Sequence, residues 1–283
     1  MKRPKHFYAT TRIWLLLITC LAGSLPSWAD VVYVIDGNAK VYSYSGTPAD
    51  VVILSKYKGY DVTSIRIDAF RGSQNLRSIV IPGSIKGIDF QSFKDCSELS
   101  SVTIQEGVRY IEWGAFQNCS KLKSITIPNS VKKIGIRSLG GCFSGCRELT
   151  SITIPDSVLY IEEKTFYGCS GLTSATIPKG ITYIGDEAFY GCSQLSSITI
   201  PDSVAYIGES AFEGCSTLKS PLIIPKNIVS IKRKTFKGCC ELPSITFSPN
   251  IKIIDNNAFE GCSGLKAITI PDSVTSLSQL SHP

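Results

Sequence analysis

The chain has 283 residues, a formal net charge of +6 and only two histidines, His6 and His282. This length allows one large domain or two average ones. Nucleophilic triads and the usual catalytic zinc sites need a histidine that its surroundings hold in place. Because His6 lies in the leader described next and His282 is one residue from the C-terminus, we predict no enzyme activity, no metal site and no cofactor.

Residues 1–29 have the composition of a secretory signal peptide. Basic residues precede an apolar run over 13–23, and small side chains at Ser27 and Ala29 place cleavage before Asp30. An alternative is a lipoprotein, with lipid attached to Cys20. The run is too short for a membrane span, and no other stretch is apolar for long enough. We therefore predict a secreted or cell-surface protein. Removal of the leader takes away four cations and lowers the net charge to +2, so the charge gives no indication of nucleic-acid binding.

One unit repeats along most of the remaining chain. Nine phenylalanines recur every 23 residues, except for one interval of 27 and one of 24: Phe70, Phe93, Phe116, Phe143, Phe166, Phe189, Phe212, Phe236 and Phe259. We predict an N-terminal cap over residues 30–61, a solenoid over 62–277 and a C-terminal tail over 278–283. The four extra residues near Leu139 are predicted to form a loop that bulges from the solenoid.

Residues 192–215 illustrate the unit. Alternating isoleucines predict a short strand over 198–200, and the Pro-Asp-Ser segment 201–203 supplies turn chemistry. A second extended piece follows over 204–207, and residues 211–215 are predicted to form a tight helical turn that ends at glycine. Because a unit this small cannot bury its own apolar face, it must stack on its neighbours, so that each position becomes a column.

The motif is Ser-Ile-Thr-Ile-Pro-Asp-Ser-Val-x-x-Ile-Gly-x-x-Ala-Phe-x-Gly-Cys-Ser-x-Leu. Over about residues 50–277, the chain resembles the BspA-like leucine-rich-repeat family. The resemblance implies an α/β leucine-rich-repeat solenoid, strand-rich with short helical turns, that forms a single elongated right-handed superhelix. It also implies a bacterial surface or secreted protein, in a family with members implicated in adhesion to host matrix proteins and in co-aggregation. It implies no catalytic residues, and no binding residues can be transferred position by position.

Eight cysteines form one column: Cys96, Cys119, Cys146, Cys169, Cys192, Cys215, Cys239 and Cys262. Each lies between a core Phe and a core Leu, and Ser73 replaces it in the first repeat, so we predict free buried thiols. Disulfides between neighbouring rungs remain an alternative, because the spacing of stacked strands permits them. Cys142 and Cys240 lie outside the column and give only a weak signal for metal or redox chemistry.

A column of aromatic residues is the strongest candidate for a ligand-binding surface. Each member immediately precedes an inward isoleucine, so alternation points it outward. The column contains Tyr110, Lys133, Tyr160, Tyr183 and Tyr206, and Tyr167 and Tyr190 are predicted to widen it. Exposed stacked aromatics supply rigid, amphipathic contact area. The alternative is that repeat duplication copied a Tyr that only favours strand formation.

A local basic cluster lies in the later repeats and contains Lys226, Lys232, Arg233, Lys234 and Lys237. It is interpreted either as a solvated edge or as a surface that steers an acidic partner.

These features predict an extracellular or cell-surface binding or adhesion protein. The expected partner is a protein of the host matrix or of a microbial surface, and a glycan is the alternative ligand. A second hypothesis is a structural or assembly component. In that hypothesis the uncapped C-terminal repeat drives weak self-association, because an open strand edge can pair with another chain.

Overall fold

The structure is a computed structural model that describes residues 31–46, 48–136 and 141–277. The predicted signal peptide, the Cys20 lipidation site and the tail over 278–283 lie outside the described residues, as do residues 137–140 of the predicted loop. The remainder is a strand-rich solenoid, as predicted. Within the described residues no helix is long and apolar enough to span a membrane.

Five strands build the N-terminal end: β1 (Val31–Asp36), β2 (Asn38–Tyr44), β3 (Asp50–Val52), β4 (Lys56–Tyr57) and β5 (Tyr60–Ile65). β1 and β2 form an antiparallel hairpin, and β4 pairs antiparallel with β5. β2 pairs with β5 in parallel, and β3 pairs in parallel with the first repeat strand. The N-terminal end therefore already supplies β2 and β5 to one of the two ladders described next and β3 to the other.

The first ladder, called the Thr ladder, contains the Ser-Ile-Thr segments. Its strands are β6 (Ser78–Ile81), β8 (Ser101–Ile104), β10 (Ser124–Thr126), β12 (Ser151–Thr153), β14 (Ser174–Thr176), β17 (Leu222–Ile223) and β19 (Ile245–Thr246). Paired strands are parallel and in register, for example Ile79 with Val102. The central apolar residue is buried or half-buried and its neighbours are mostly exposed, as the period-two pattern predicts.

The second ladder, called the Tyr ladder, contains the Tyr-Ile segments. Its strands are β7 (Gly87–Ile88), β9 (Tyr110–Ile111), β11 (Lys133–Ile134), β13 (Tyr160–Ile161), β15 (Tyr183–Ile184), β16 (Tyr206–Ile207), β18 (Ser230–Ile231), β20 (Ile253–Ile254) and β21 (Ser276–Leu277). Strand pairing in this ladder is interrupted between β11 and β13 and between β16 and β18. These two places are the irregular intervals of the repeat, with four extra residues in the first and one in the second.

The segment that carries the core Phe is a series of turns. The amide of Cys215 donates to the carbonyl of Phe212 at 3.2 Å, and that of Glu213 donates to Ser210 at 3.1 Å. Backbone φ is positive at Ser210 and at Gly214, whereas a helix requires consecutive right-handed residues. The predicted short helical turns are therefore not confirmed: the described residues contain no helix.

In all nine repeats, one left-handed residue lies two positions before the Phe and another lies two positions after it. We call these two residues the left-handed bracket. The residues before it are Asp68, Gln91, Gly114, Gly141, Lys164, Glu187, Ser210, Lys234 and Asn257. The residues after it are Gly72, Asp95, Asn118, Gly145, Gly168, Gly191, Gly214, Gly238 and Gly261. Between the two, the Phe amide donates to the next turn, as from Phe212 to the carbonyl of Thr235 at 2.8 Å. The turn segment is therefore a third hydrogen-bonded side of the coil.

The nine phenylalanines form one buried stack, with ring centroids 4.8 to 5.7 Å apart. Tyr44 stacks on Phe70 at one end, and Phe247 meets Phe259 edge-on at the other. All ten described cysteines are free, and only Cys240 is exposed. Each thiol of the eight-membered column donates to the carbonyl of the Phe one turn earlier, at 2.9 to 3.3 Å. The predicted column of buried thiols is present in the structure.

Candidate binding surface

The Tyr ladder presents two outward positions in each rung. In one rung Val204 and Ile207 are buried, while Ala205 is exposed and Tyr206 is half-exposed. Two outward residues fit between two inward ones because the chain bends between the Pro-Asp-Ser turn and the strand. The outward direction predicted for the tyrosines is therefore observed.

Three of the predicted tyrosines are aligned on neighbouring strands. Tyr160 pairs in register with Tyr183, and Tyr183 with Tyr206. The rings of Tyr183 and Tyr206 stack with centroids 4.9 Å apart and planes 8° from parallel, whereas Tyr160 is 45% exposed. The three tyrosines form an in-register column over three rungs, in which the rings of Tyr183 and Tyr206 stack; we call this column the aromatic strip.

Asp186 fixes the end of this strip. The hydroxyl of Tyr206 donates to its Oδ1 at 3.3 Å, and the amide of Glu209 donates to the same oxygen at 2.9 Å. Gly208 makes the approach possible, since a Cβ there would lie 2.3 Å from that oxygen. Burial, followed by the nearby Asp186 charge, raises the pKa of Tyr206 above its ordinary value. The phenol therefore stays protonated at physiological pH and is held as a donor.

An exposed leucine extends the strip, although sequence reasoning did not select it. Leu159 immediately precedes Tyr160 and is 45% exposed. Each rung has a second outward position, one residue before the tyrosine, and Leu159 occupies it. Strict alternation around the isoleucine predicts only one outward position, so it does not reveal this one. We call Leu159, Tyr160, Tyr183 and Tyr206 the tyrosine surface. Acidic residues follow it in each rung, namely Glu163, Asp186 and Glu209.

The two flanking tyrosines form a separate stack. Tyr167 and Tyr190 directly follow core phenylalanines and lie on the turn segment, with ring centroids 4.7 Å apart and planes 5° from parallel. The negative charge of Glu213, with a smaller effect of burial, raises the pKa of Tyr190. This pair is ordered like the strip, but on a different side of the repeat.

The remaining two predicted residues have different surroundings. Tyr110 lies across the neighbouring rung, where a Cβ on Gly87 would be 1.7 Å from its ring. Lys133 pairs with Glu112 at 3.9 Å and separates Tyr110 from Tyr160 in the column. The structure thus joins three members of the predicted column and sets Tyr110 apart.

The basic cluster of the later repeats is partly neutralised. Arg233 pairs with Glu209, and Lys237 pairs with Glu260 at 2.8 Å. These contacts favour a solvated edge over a steering surface. In the described part of the chain, no group of three or more His, Cys, Asp or Glu side chains is arranged to hold a metal ion.

Comparisons with known proteins agree with this architecture. The family model described as BspA type Leucine rich repeat region (6 copies) matches residues 50–142, 139–223 and 220–281. A solved leucine-rich repeat protein of T. pallidum is 29% identical with a TM-score of 0.63, and the match covers 67% of this chain and 88% of that one. A leucine rich cell surface protein of Faecalibacterium prausnitzii is 25% identical with a TM-score of 0.63, over 92% and 85%.

A leucine-rich repeat protein of Bacteroides ovatus shares the fold, at 24% identity and a TM-score of 0.58 over 88% of this chain and 89% of that one. Comparison with curated proteins gives no match. The family match spans most of the repeats and confirms the resemblance that the motif indicated. The chain belongs to the BspA-type leucine-rich-repeat family.

Proposed function

We propose that this protein is an extracellular or cell-surface binding protein that recognises a protein partner through the tyrosine surface. The observation that carries the proposal is the in-register strip of Tyr160, Tyr183 and Tyr206, with two stacked rings and an exposed leucine beside them. Leucine-rich-repeat proteins commonly mediate protein binding, and solenoids present extended surfaces suited to that role.

The tyrosine surface has the composition of an interface centre. Tyr is enriched in energetically important contacts, and a stacked ring has already lost most of its conformational freedom before binding. The acidic row of Glu163, Asp186 and Glu209 borders the strip. Arg233 already pairs with Glu209, so Glu163 and Asp186 are the charges that a basic rim on the partner would complement. A host-matrix or microbial-surface protein is the proposed partner class, and adhesion is the proposed outcome.

Secretion is part of the same proposal. BspA-like leucine-rich-repeat proteins are bacterial surface or secreted proteins, and residues 1–29 have the order of basic, apolar and small residues typical of a signal peptide. N-terminal sequencing of the exported protein is expected to give Asp30 as the first residue. A mature chain that begins with a lipid-modified Cys20 would support the lipoprotein alternative instead.

The experiment compares two sets of tyrosine substitutions. Mature protein is immobilised, partners are captured from matrix and bacterial-surface extracts, and the affinity of each captured protein is measured. Tyr160→Ala with Tyr183→Ala and Tyr206→Ala should weaken binding by about tenfold or more, because buried aromatic contacts dominate interface energies.

Tyr167→Ala with Tyr190→Ala is the matched control, since it removes a stacked pair from the turn segment. Binding that is lost equally in both variants, or only in the control, would contradict the assignment. Unfolding curves of both variants check that the fold is intact.

An assembly role is a second candidate. Strand β21 pairs with β20 on one side only among the described residues, and Leu277 beside this edge is 50% exposed. Such an edge can add a strand from another chain. Light scattering over a wide concentration range tests this role, and a constant monomer mass would remove it.

A further inference from the structure

A second outward column runs beside the tyrosines, one residue earlier in each rung, and its first three members are cations. Lys86, Arg109 and Lys132 are all exposed. The residues that follow them, Gly87, Tyr110 and Lys133, are paired directly across neighbouring strands. The three cations therefore lie on consecutive rungs, about 4.8 Å apart in backbone position. They form a row roughly 10 Å long.

This row lines an open groove of about 250 Å³. Gly107 and Ser130 form the rest of its lining, between the three cationic side chains. We call it the cationic groove. The lining contains no Leu, Ile, Val or aromatic side chain.

The cations of the groove have no ion-pair partner among the described residues. None of the ten described salt bridges includes Lys86, Arg109 or Lys132. The carboxylate of Glu106, next to Gly107, faces the chain: Oε1 accepts from the amide of Asn129 and Oε2 from that of Ser130, both at 3.0 Å.

Two other carboxylates follow the buried isoleucine of their rung in the sequence. Glu112 pairs with Lys133, and Asp89 follows Ile88 in the preceding rung. Apart from Glu106, whose carboxylate accepts from two backbone amides, the acids named here follow the tyrosine position of their rung, whereas the cations precede it. Three like charges in a concave surface concentrate a positive potential, which attracts an anion with several charges.

Tyr110 lies beside the groove, directly after the lining residue Arg109. One face of its ring covers the backbone of Gly87. The face of an aromatic ring beside cations can stack against the C–H face of a sugar, whereas the groove offers no apolar pocket to receive the side chain of a peptide. The geometry therefore favours a flat, linear, charged ligand.

We propose that the cationic groove binds a sulfated glycan chain, with Lys86, Arg109 and Lys132 on its anionic groups and Tyr110 against a sugar ring. This site lies in earlier rungs than the tyrosine surface, and it does not depend on the protein-binding proposal. Its ionic contacts are solvent-exposed, so the affinity should fall as salt concentration rises.

Calorimetry or surface binding with a size-defined heparin oligosaccharide tests the site in the mature protein. The variant Lys86→Gln with Arg109→Gln and Lys132→Gln should bind about tenfold more weakly or worse, since three exposed charge contacts are lost. Lys179→Gln with Lys252→Gln and Lys266→Gln removes the same charge from exposed positions elsewhere and should change affinity by less than about twofold. Tyr110→Ala should also weaken heparin binding.

Four outcomes would overturn the proposal. Equal loss of heparin affinity in both triple variants would show that heparin binds any positive surface of the protein. A groove variant that binds like the unchanged protein would show that the site is elsewhere. Retention of poly-L-glutamate without retention of heparin would assign the groove to an acidic peptide. Tight binding of desulfated heparin would contradict the role of the sulfate groups.

Discussion

At the scale of single residues, the core depends on one aromatic position per turn. Phe166 is fully buried, and its ring lies 5.7 Å from that of Phe143 and 5.2 Å from that of Phe189. Each other internal member of the stack likewise lies between two phenylalanine rings. Since one layer supports the next, a void at Phe166 affects three turns at once.

Phe166→Ala is expected to lower the free energy of unfolding by about 3 to 5 kcal/mol, from lost burial and from the cavity left behind. Urea unfolding followed by circular dichroism measures the change. Tyr167→Ala provides the control at the next position, where the half-exposed ring should contribute less than about 1 kcal/mol. Equal losses at both positions would mean that the stack is not the main source of stability.

The helical turns were predicted because each Phe segment, such as residues 211–215, ends near a glycine of the kind that ends helices. Lys164 and Glu187 are good helix formers, yet both have left-handed φ, 55° and 54°. Their conformation is imposed by hydrogen bonds from one turn to the next, such as the one from the amide of Phe189 to the carbonyl of Ala211 at 2.8 Å. Local propensity could not reveal these long-range contacts, whereas the repeat period predicted the strands and the core positions.

At the scale of one element, the cysteine column is a ladder of thiols inside the solenoid. Burial raises the pKa of Cys169, Cys215 and Cys262 from 9.0 to about 12 each. Each thiol donates to a carbonyl, so a thiolate would lose that contact and also its hydration. The folded protein therefore keeps these groups protonated well above neutral pH.

This ladder predicts loss of stability in alkali. Below about pH 9 each thiol is protonated in both states, and the full stability is present. As pH rises from about 9 towards 12, the unfolded chain releases the protons first, so each thiol costs roughly 1 kcal/mol of stability per pH unit. Urea unfolding at a series of pH values measures the slope.

Two variants separate the ladder from other titrating groups. Cys169→Ala should reduce the alkaline slope, whereas Cys240→Ala, at the exposed cysteine, should leave it unchanged. A slope that is the same in both variants would place the alkaline loss on other side chains. Oxidation of the column to disulfides would also remove the effect, and thiol counting in denaturant detects it.

The sequence predicted that the tyrosines of the candidate site point outward, but it did not predict their side-chain contacts. Alternation around the inward isoleucines placed Tyr160, Tyr183 and Tyr206 on the surface, and that is where they lie. The hydrogen bond from Tyr206 to Asp186 depends on the bare backbone at Gly208, which a one-dimensional pattern does not contain. Arg109 and its neighbours in the cationic groove escaped notice because the sequence pattern was followed at only one of the two outward positions.

At the scale of the whole molecule, stability should vary along the axis. Each turn is held by the turns before and after it, and among the described residues β21 has a partner only in β20. The amides of Thr275 and Ser276 donate to the carbonyl of Lys252, but Leu277 is half-exposed. Opening of this rung disturbs one interface, whereas opening of β15 disturbs two.

Hydrogen exchange should therefore be faster for amides in residues 275–277 than for those in 182–184. Mass spectrometry of a dilute, monomeric sample is the measurement. Equal protection of the two segments would show that the end of the solenoid is covered. Protection that rises with protein concentration would instead support end-to-end association.

The left-handed brackets around each Phe also divide the chain into a fixed part and a part that tolerates changes in length. Residues from 141 to 145 and from 210 to 214 form closed corners with hydrogen bonds to both adjacent turns, so an added residue there would break several of them. The two places where the repeat departs from 23 residues, near Leu139 and at Pro221, both lie between corners. A change of length between corners thus leaves every corner intact. Because each unit contacts only its neighbours, one more unit would lengthen the solenoid by one rung without a new core.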